Sequence, residues 1–501
     1  MAVTAGGARS TRRVCPTRSS WQALALALVF AACGAGSVPD LGGLYNRAAE
    51  FDDTTRNPVI VIPGVLGSKL VDRETGRVVW GAFAGDYANP SDPDGARLVA
   101  LPMARGVPLA SLRDGVMPEG VLDSVHVSLV GLPLESQAYV YILKTLGVGG
   151  YRDESLGRSG SVVYRPGHFT CFQFPYDWRR DNAENARALR AFMVEKRAYV
   201  QAELLRRYGI HRENVRFDVI AHSMGGLLLR YFLEYGDADL PADGSTPAPS
   251  WAGAPFVARA VFVATPNAGS VLALRNLVDG VSFSWLLPRY PPAVIGTFPS
   301  LYQLLPRARH RAVLDAQGAP LDPLDLATWQ RFGWGLAARD SDPALAALLP
   351  DVSDPEERRA IALDQLAKSL ARARQFQAAL DVPSSPPPGL TLHLFAGDAE
   401  PTPAALSVDS AGELSIARTA PGDGTVLRTS AIMDERETGA WRPGVVSPIA
   451  WTDLTFVFAD HLALTRDPAF TDNVLYRLLE SPRDGAVLAG AQAPEAVPPP
   501  R

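Results

Sequence analysis

The feature that most constrains this chain is a serine placed between a predicted strand and a predicted helix. An apolar run at residues 215–221 predicts a strand, and residues 224–235 predict a helix. The turn between them reads AHSMGG. Such a turn lifts a serine Oγ clear of the backbone if the residues two positions to either side are small. Ala221 and Gly225 meet this requirement, so we predict that Ser223 is a nucleophile. The alternative is a small-residue turn with no catalytic role.

Predicted strands and helices alternate along much of the chain. The other strand candidates are residues 57–62, 169–174, 258–264 and 390–396, and the other long helix candidates are residues 184–208 and 354–380. This alternation predicts an α/β fold in which a parallel or mixed sheet is covered by helices on both faces. A helical stretch at residues 271–388 interrupts the alternation, which indicates a cap inserted over one end of the sheet.

The same patterns divide the chain into segments. We expect a signal peptide at residues 1–32, a flexible tether at 33–56, the first part of the core at 57–270 with a loop-rich insertion at about 81–135, a cap at 271–388, the second part of the core at 389–480 and a mobile tail at 481–501.

The first 32 residues are typical of an export signal. They contain four arginines and no acidic residue, and they end in a run of ten apolar residues, 23–32. That run is long enough for a signal peptide and too short to span a bilayer. The small residues before Cys33 favour cleavage there and lipidation of the cysteine, as in bacterial lipoproteins. The alternative is a secretory signal cut near residues 32–35. We therefore expect an exported protein, either anchored to a membrane through Cys33 or free in the periplasm or medium.

Composition excludes several classes of protein. Hydrophobic residues make up 47% of the chain and charged residues 20%, which excludes a wholly disordered chain. The 48 Lys and Arg residues against 53 Asp and Glu residues give a net charge of −5, which argues against a nucleic-acid binder. Once Cys15 is removed and Cys33 is lipidated, Cys171 has no cysteine partner. The fold must then depend on its hydrophobic core rather than on a disulfide.

A serine hydroxyl becomes a strong nucleophile only when a base takes its proton. In folds with such a serine turn, the acid and then the histidine follow the nucleophile along the chain. Three of the seven histidines lie after Ser223: His310 in the predicted cap, His393 inside a predicted strand, and His461 in a loop after the apolar run 454–458. Because a loop at the end of a strand lets the ring reach back to the edge of the sheet, we predict that His461 is the base.

Two aspartates are candidates for the acid that orients this base. Asp423 lies between two glycines in a tight turn, where nearby amides can hold its carboxylate, and it precedes His461 by 38 residues. Asp398 directly follows the strand predicted at 390–396. We favour Asp423 and keep Asp398 as the competitor.

Stabilising an oxyanion requires two backbone N–H groups directed at the developing charge. One is expected from Met224, the residue after the nucleophile. The other is expected from the loop at residues 63–68, whose two glycines let the backbone approach a substrate closely. We choose Val65 as this second donor. The alternative is an ordinary Pro-Gly turn.

Five segments together resemble the lecithin–cholesterol acyltransferase family, which includes lysosomal phospholipase A. They are PVIVIPGVLGSKL at residues 58–70, FPYDWRR at 174–180, AHSMG at 221–225, GDGTV at 422–426 and DH at 460–461. They follow one another in the family's order within residues 57–480, and general lipases lack the second segment. The resemblance implies that Trp178 shapes the acyl pocket. The alternative interpretation of this segment is a structural Asp177–Arg179 pair beneath the pocket.

The resemblance also implies an α/β-hydrolase core with a mostly parallel sheet, a Ser223–Asp423–His461 triad and an acyl-enzyme intermediate. Substrates would be glycerophospholipids or related lipid esters, with acyl transfer to water or to a lipid alcohol. The animal members close a lid with a disulfide after the oxyanion strand, whereas this chain has no cysteine between Cys33 and Cys171. The region at 81–135 must therefore be organised differently.

Two other functions stay open on the sequence alone. One is a general carboxylester or triacylglycerol lipase, and the other is a catalytically inactive surface lipoprotein that binds lipid. The partners expected from the resemblance are the lipid substrate and the membrane surface. We predict no nucleic-acid partner, no cofactor and no metal ion, and the sequence indicates no protein partner.

Overall fold

The computed structural model describes residues 38–482, apart from residues 52, 83–84, 123–127, 130–131, 134–137, 165–166, 283–287 and 439–441. The predicted signal peptide and Cys33 lie outside the described residues, as does the predicted tail beyond residue 482. Part of the insertion expected at 81–135 also lies outside them.

The strands of the described residues form one large sheet and three small ones. In chain order they are β1 (Val59–Ile62), β2 (Ser68–Asp72), β3 (Val78–Trp80), β4 (Val116–Val121), β5 (Ser128–Leu129), β6 (Leu132–Pro133), β7 (Cys171–Gln173), β8 (Phe217–His222), β9 (Val257–Val263), β10 (Val313–Leu314), β11 (Thr391–Gly397), β12 (Glu400–Val408), β13 (Leu414–Gly422) and β14 (Asp453–Val457). The large sheet has the order β14-β11-β9-β8-β1-β7, and each neighbouring pair is parallel. The small sheets are β3-β2-β4, β10-β12-β13 and β5-β6.

The helices include the long ones that the sequence predicts. In chain order the α-helices are α1 (Leu41–Glu50), α2 (Pro93–Val99), α3 (Ala138–Val148), α4 (Glu154–Arg158), α5 (Asn182–Tyr208), α6 (Met224–Tyr235), α7 (Val271–Asp279), α8 (Pro292–Ile295), α9 (Pro299–Gln303), α10 (Leu326–Phe332), α11 (Asp342–Leu348), α12 (Pro355–Leu380), α13 (Arg428–Ile432) and α14 (Pro468–Leu479). Of the described helices, none has both the length and the apolar character needed to cross a membrane.

Helices cover both faces of the large sheet, as predicted. Successive residues of a strand point to opposite faces, and in β1 Ile60 and Ile62 belong to one apolar cluster while Val59 and Val61 belong to another. The first cluster includes apolar residues of α5, α6 and α12, and the second includes those of α3 and α14. The inner strands β1, β8 and β9 are buried at every position, which explains their largely apolar sequences.

Helix α12 is the long helix of the predicted cap segment. Its first residue is Pro355, and the carboxylate of Asp354 accepts a hydrogen bond from the Glu356 backbone N–H. Both residues favour a helix start, because an aspartate satisfies an unpaired amide of the first turn and proline tolerates the first helical position. Helices α7 to α12 all lie in the chain between β9 and β11.

The flexible tether predicted for residues 33–56 is wrong for residues 41–50, which form α1. Tyr45 in this helix is buried, and its hydroxyl donates to the Asp472 carboxylate of α14 at 2.9 Å. Beyond the helix, the Arg56 guanidinium donates to the Gly149 carbonyl at 3.0 Å. Both contacts join residues far apart in the sequence, so the local composition of this segment did not reveal them.

Candidate active site

Ser223 lies on a strained turn between β8 and α6. Its φ is 52° and its ψ −127°, a backbone conformation that is costly for a residue with a side chain. Its backbone N–H donates to the Val263 carbonyl of the neighbouring strand at 2.8 Å, which anchors the turn to the sheet. A Cβ at Gly225 would collide with the Pro63 carbonyl oxygen, and one at Gly226 with the Thr265 side chain. Close packing therefore requires Gly225, one of the two small residues that suggested this turn.

The structure brings the three predicted triad residues into a continuous hydrogen-bonded chain. His461 Nε2 lies 3.1 Å from Ser223 Oγ, and His461 Nδ1 lies 2.8 Å from Asp423 Oδ2. With Nδ1 protonated toward the carboxylate, Nε2 is left to accept the serine proton, which is the arrangement that activates a serine hydroxyl. Ser223 is 8% exposed and Asp423 2% exposed, so these contacts are largely shielded from water.

Asp423 reaches the histidine at the end of an antiparallel hairpin formed by β12 and β13. Its second carboxylate oxygen accepts hydrogen bonds from the backbone N–H groups of Thr425 at 2.9 Å and Val426 at 2.6 Å. Burial alone would raise the pKa of this carboxyl. The charge and hydrogen bond of His461, together with the two amides, nevertheless lower its pKa below the ordinary value. Asp423 is therefore held as a carboxylate facing the imidazole.

The competing candidates lie elsewhere. Asp398 pairs with Arg428 at 3.8 Å, and in the described part of the chain no hydrogen bond joins Asp398 to His461. His393 lies between Asp453 at 2.7 Å and Thr391 at 2.9 Å, on β11. His310 contacts Glu435 at 3.3 Å. Of the three histidines that follow the nucleophile, His461 is the one that touches Ser223.

The predicted oxyanion donors flank the nucleophile. Met224 is the first residue of α6, so its N–H has no acceptor inside the helix. The loop with Val65 packs directly against the serine, because a Cβ at Gly64 would lie 2.9 Å from the Ser223 Cβ. Within the described part of the chain, no protein acceptor is bonded to the Val65 N–H. Both N–H groups are thus available to a substrate, and their role stays a prediction.

Three buried aromatic side chains donate hydrogen bonds to backbone carbonyls of the loop at residues 63–68. The Tyr176 hydroxyl donates to the Pro63 carbonyl at 3.0 Å, and the Trp80 indole N–H donates to the Leu66 carbonyl at 2.7 Å. The Trp178 indole N–H donates to the Ser68 carbonyl at 3.2 Å. Each bond fixes a carbonyl of the loop and so restricts where its N–H groups point.

Trp178, expected to shape an acyl pocket, lies in the packed interior. It is 2% exposed, and its ring packs edge-on against Trp80 and Phe298 with centroids 5.7 Å apart in each case. Its indole is bonded to the Ser68 carbonyl, so Trp178 contacts the loop, and its role at an acyl pocket stays a prediction. The adjacent Asp177–Arg179 pair is the structural pair that the alternative interpretation predicted: two guanidinium nitrogens contact the carboxylate at 3.0 and 2.8 Å.

Sequence reasoning missed two further groups at the site, His222 and Tyr139. His222 is the residue before the nucleophile, and its ring centroid lies 4.9 Å from that of His461. Tyr139 is at the start of α3, and its hydroxyl accepts a hydrogen bond from the Gly64 N–H at 2.7 Å. The position of His222 beside Ser223 was a usable signal. Nothing local marks Tyr139, because its partner Gly64 is 75 residues away in the sequence.

Comparison with known proteins supports both the fold and the family resemblance. Residues 155–319, about a third of the chain, match the model of the lecithin:cholesterol acyltransferase family. The matched region contains Ser223 and the FPYDWRR segment, whereas Asp423 and His461 lie outside it. The predicted resemblance to this family is confirmed by this match.

One curated relative and two solved structures extend the comparison. Lecithin-cholesterol acyltransferase-like 4 of Arabidopsis thaliana is 28% identical over 209 residues, which cover 39% of this chain and 34% of the relative. The match thus spans about a third of the relative's length. A chain in the crystal structure of the Tle4–Tli4 complex has a TM-score of 0.52 at 15% identity, covering 85% of this chain and 98% of that one. Lipase 1 from Pelosinus fermentans has a TM-score of 0.31 at 13% identity, covering 85% and 99%. The parallel six-stranded sheet and the TM-score of 0.52 together identify the fold as that of an α/β-hydrolase.

Proposed function

We propose that this protein is a serine-dependent lipid acyl-hydrolase or O-acyltransferase acting on glycerophospholipids or related lipid esters. The observation that carries the proposal is the hydrogen-bonded chain from Ser223 Oγ through His461 to Asp423, with the nucleophile on a turn of positive φ. A buried, ordered arrangement of these three groups is a costly feature that a purely lipid-binding protein would not need.

The reaction proceeds in two steps through a covalent intermediate. Ser223 Oγ attacks the ester carbonyl while His461 Nε2 takes the hydroxyl proton, and the charged imidazole is stabilised by Asp423. The oxyanion accepts hydrogen bonds from the N–H groups of Val65 and Met224. The tetrahedral intermediate collapses, His461 returns the proton to the leaving alcohol, and an acyl-serine remains. Water or a lipid alcohol then attacks this ester by the same sequence in reverse.

Exposed apolar side chains beside the base support a lipid substrate. Phe458 is 82% exposed and Leu462 is 44% exposed, and both belong to the segment that carries His461. Large apolar side chains left in water next to an active site are typical of a surface that meets an apolar partner. The family match over residues 155–319 supports the same class of substrate.

We further propose that the protein is exported and anchored through lipidated Cys33. This rests on the basic N-terminal region, the apolar run at 23–32 and the small residues before the cysteine. An anchor of this kind would hold the enzyme at a membrane surface and raise the local concentration of lipid substrate.

Mass spectrometry of the products from a defined phosphatidylcholine tests the function. The assay is run with and without a long-chain alcohol, with Ser223→Ala as the control. Free fatty acid in both cases supports a hydrolase, and a new ester that appears only with the alcohol supports an acyltransferase. Turnover of triacylglycerol but not of phospholipid would favour the general lipase instead. No turnover of any ester, with no labelling by a fluorophosphonate, would leave the inactive lipid-binding protein.

A further inference from the structure

A chain of three hydrogen bonds runs beneath the nucleophile and joins the two loops that flank it. The Gly64 backbone N–H donates to the Tyr139 hydroxyl oxygen at 2.7 Å. The same hydroxyl lies 3.3 Å from His222 Nδ1. On the other side of the ring, His222 Nε2 lies 3.1 Å from the backbone carbonyl oxygen of His461. One end of this series of hydrogen bonds is therefore the loop at residues 63–68, which we call the oxyanion loop. The other end is the loop that carries the base, His461.

The hydrogen-bond partners determine which atoms of Tyr139 and His222 carry a proton. A carbonyl oxygen can only accept, so His222 Nε2 must carry a proton and donate it to His461. The neutral ring then leaves Nδ1 as an acceptor for the Tyr139 hydroxyl proton. The hydroxyl oxygen is free to accept from Gly64, so each donor has one acceptor. A protonated His222 would leave the hydroxyl proton of Tyr139 without this acceptor.

Burial keeps His222 in the neutral form. Its side chain is 1% exposed, and Tyr139 is 3% exposed. Burial, assisted by the neighbouring His461, lowers the pKa of His222 to about 3. A neutral ring beside the base matters because His461 itself becomes positively charged during each acyl transfer, and a second cation with its ring centroid 4.9 Å away would oppose that step.

Two glycines of the oxyanion loop let the Tyr139 hydroxyl come close to the loop backbone. A Cβ at Gly67 would lie 2.8 Å from the Tyr139 hydroxyl and 2.6 Å from the Pro63 ring, and a Cβ at Gly64 would lie 3.3 Å from the hydroxyl. Glycine at these two positions lets the hydroxyl reach the Gly64 N–H. The contact therefore depends on two glycines of the loop as well as on the tyrosine.

We propose that Tyr139 and His222 are positioning residues that fix the spacing between the oxyanion loop and the base. The proposal rests on the proposed function, because it assigns these residues a role in the same reaction. Catalytic groups must be held to within about half an ångström of their working geometry. A neutral chain of hydrogen bonds that reaches both loops and passes through the residue next to the nucleophile meets this requirement.

Tyr139→Phe tests the proposal, because it removes the acceptor of Gly64 and the donor to His222 while keeping the ring. Tyr302→Phe is the matched control: Tyr302 is also buried, and its hydroxyl donates to the Gly296 carbonyl at 2.9 Å, away from the triad. On a soluble p-nitrophenyl ester, we expect Tyr139→Phe to lower kcat by about 10- to 100-fold with KM within about twofold. We expect Tyr302→Phe to keep kcat, even if both variants melt at a lower temperature.

A second pair of variants covers the case in which Tyr139→Phe does not fold. His222→Gln retains an N–H donor for the His461 carbonyl, whereas His222→Leu does not, so kcat should be higher for Gln than for Leu. Equal kcat values in these two folded variants, or wild-type kcat in folded Tyr139→Phe, would overturn the proposal.

A measurement that needs no turnover separates this proposal from the proposed function. In ¹⁵N-histidine NMR spectra, His222 should be the neutral Nε2–H form from pH 5 to 8, and its Nδ1 signal should shift in Tyr139→Phe. An Nδ1–H form in the wild type would overturn the chain of hydrogen bonds. Failure of the wild type to cleave esters or react with a fluorophosphonate would contradict the proposed function and leave this result intact.

Discussion

At the scale of single residues, the choice between Asp423 and Asp398 decides how the base is oriented. Both lie at the same edge of the sheet, and a Cβ at Gly397 would lie 2.6 Å from the Asp423 Cβ. Only Asp423 contacts the imidazole, at 2.8 Å. Local sequence favoured it because flanking glycines form a turn that directs amides at its carboxylate, and the structure has two such amides.

Asp423→Asn should therefore lower kcat by on the order of 10⁴, because the amide cannot hold the correct tautomer or stabilise the charged imidazole. Asp398→Asn is the matched control and should change kcat little. The measurement is kcat on a soluble ester for both purified variants. If Asp398→Asn is the inactive one, the assignment of the acid is wrong.

The two residues that sequence reasoning missed, Tyr139 and His222, have partners that are distant in the sequence. By contrast, Ser223, Met224 and Asp423 were found because a turn or a glycine pattern marks them locally. Tyr139 is joined to its partners only through the fold. His222 was visible beside Ser223, but its role depends on the His461 carbonyl, 239 residues away.

At the scale of elements, the FPYDWRR segment supports the oxyanion loop through Tyr176 and Trp178. Its Trp178 indole donates to the Ser68 carbonyl, next to the end of that loop. Removing this donor leaves a buried carbonyl unpaired, which costs about 1–3 kcal/mol of stability. It also loosens the loop that presents Val65.

Trp178→Phe should thus lower both the melting temperature and kcat, the latter by about tenfold or more. Trp329→Phe is a suitable control, because the buried Trp329 indole donates to the Pro323 carbonyl at 2.8 Å in the cap segment. It should destabilise the protein without lowering kcat. Equal kcat values for the two variants would contradict the supporting role of Trp178.

Helix α6 carries a buried carboxyl that makes stability depend on pH. Burial raises the pKa of Glu234 to about 7, although Arg230 opposes the shift from 3.3 Å. The folded protein then binds this proton more tightly than the unfolded chain, whose value is about 4.5. The Glu234 carboxyl should therefore contribute most to the free energy of unfolding below about pH 4.5. This contribution should fall as the pH rises to about 7.

Glu234→Gln should remove the pH dependence that Glu234 gives to the free energy of unfolding. The variant should therefore be more stable than the wild type between pH 5 and 8, by on the order of 1–3 kcal/mol. Glu203→Gln is the control, because hydrogen bonding from Arg206 lowers the pKa of Glu203 to about 2. Its carboxyl is ionised throughout this range in both states. Urea unfolding at several pH values measures the difference, and a pH-independent effect of Glu234→Gln would contradict the prediction.

The elements also show where sequence patterns fail. Strands β8, β9 and β11 lie within two residues of the predictions, because their apolar runs are continuous and bounded by turns. The β12–β13 hairpin was not predicted. β12 contains Pro401 and Pro403, which argue against a strand, and β13 is largely exposed, so no buried face marks its sequence.

At the scale of the whole molecule, alternation of strands and helices was enough to predict the layered sheet and the helical cap segment. It was not enough to find the packing of α1 against α14, where Tyr45 donates to Asp472. A tether anchored at Cys33 would therefore not include residues 41–50, because they form α1.

Cys33→Ser should release the protein into a soluble fraction or leave the signal uncleaved, because the acyl chains are the proposed anchor. Activity on a soluble short-chain ester should not change, since the substitution leaves the triad intact. Fractionation followed by N-terminal sequencing makes the measurement. Wild-type protein found wholly in the soluble exported fraction, with its N-terminus beyond Cys33, would contradict the anchor.

In the proposed mechanism, Ser223 Oγ forms the acyl-enzyme. The most direct test is the rate of ester turnover by purified, folded Ser223→Ala. Because no other group in the triad can form the covalent intermediate, we expect the rate to fall by on the order of 10⁴–10⁶. Near-full turnover by this variant would contradict the account.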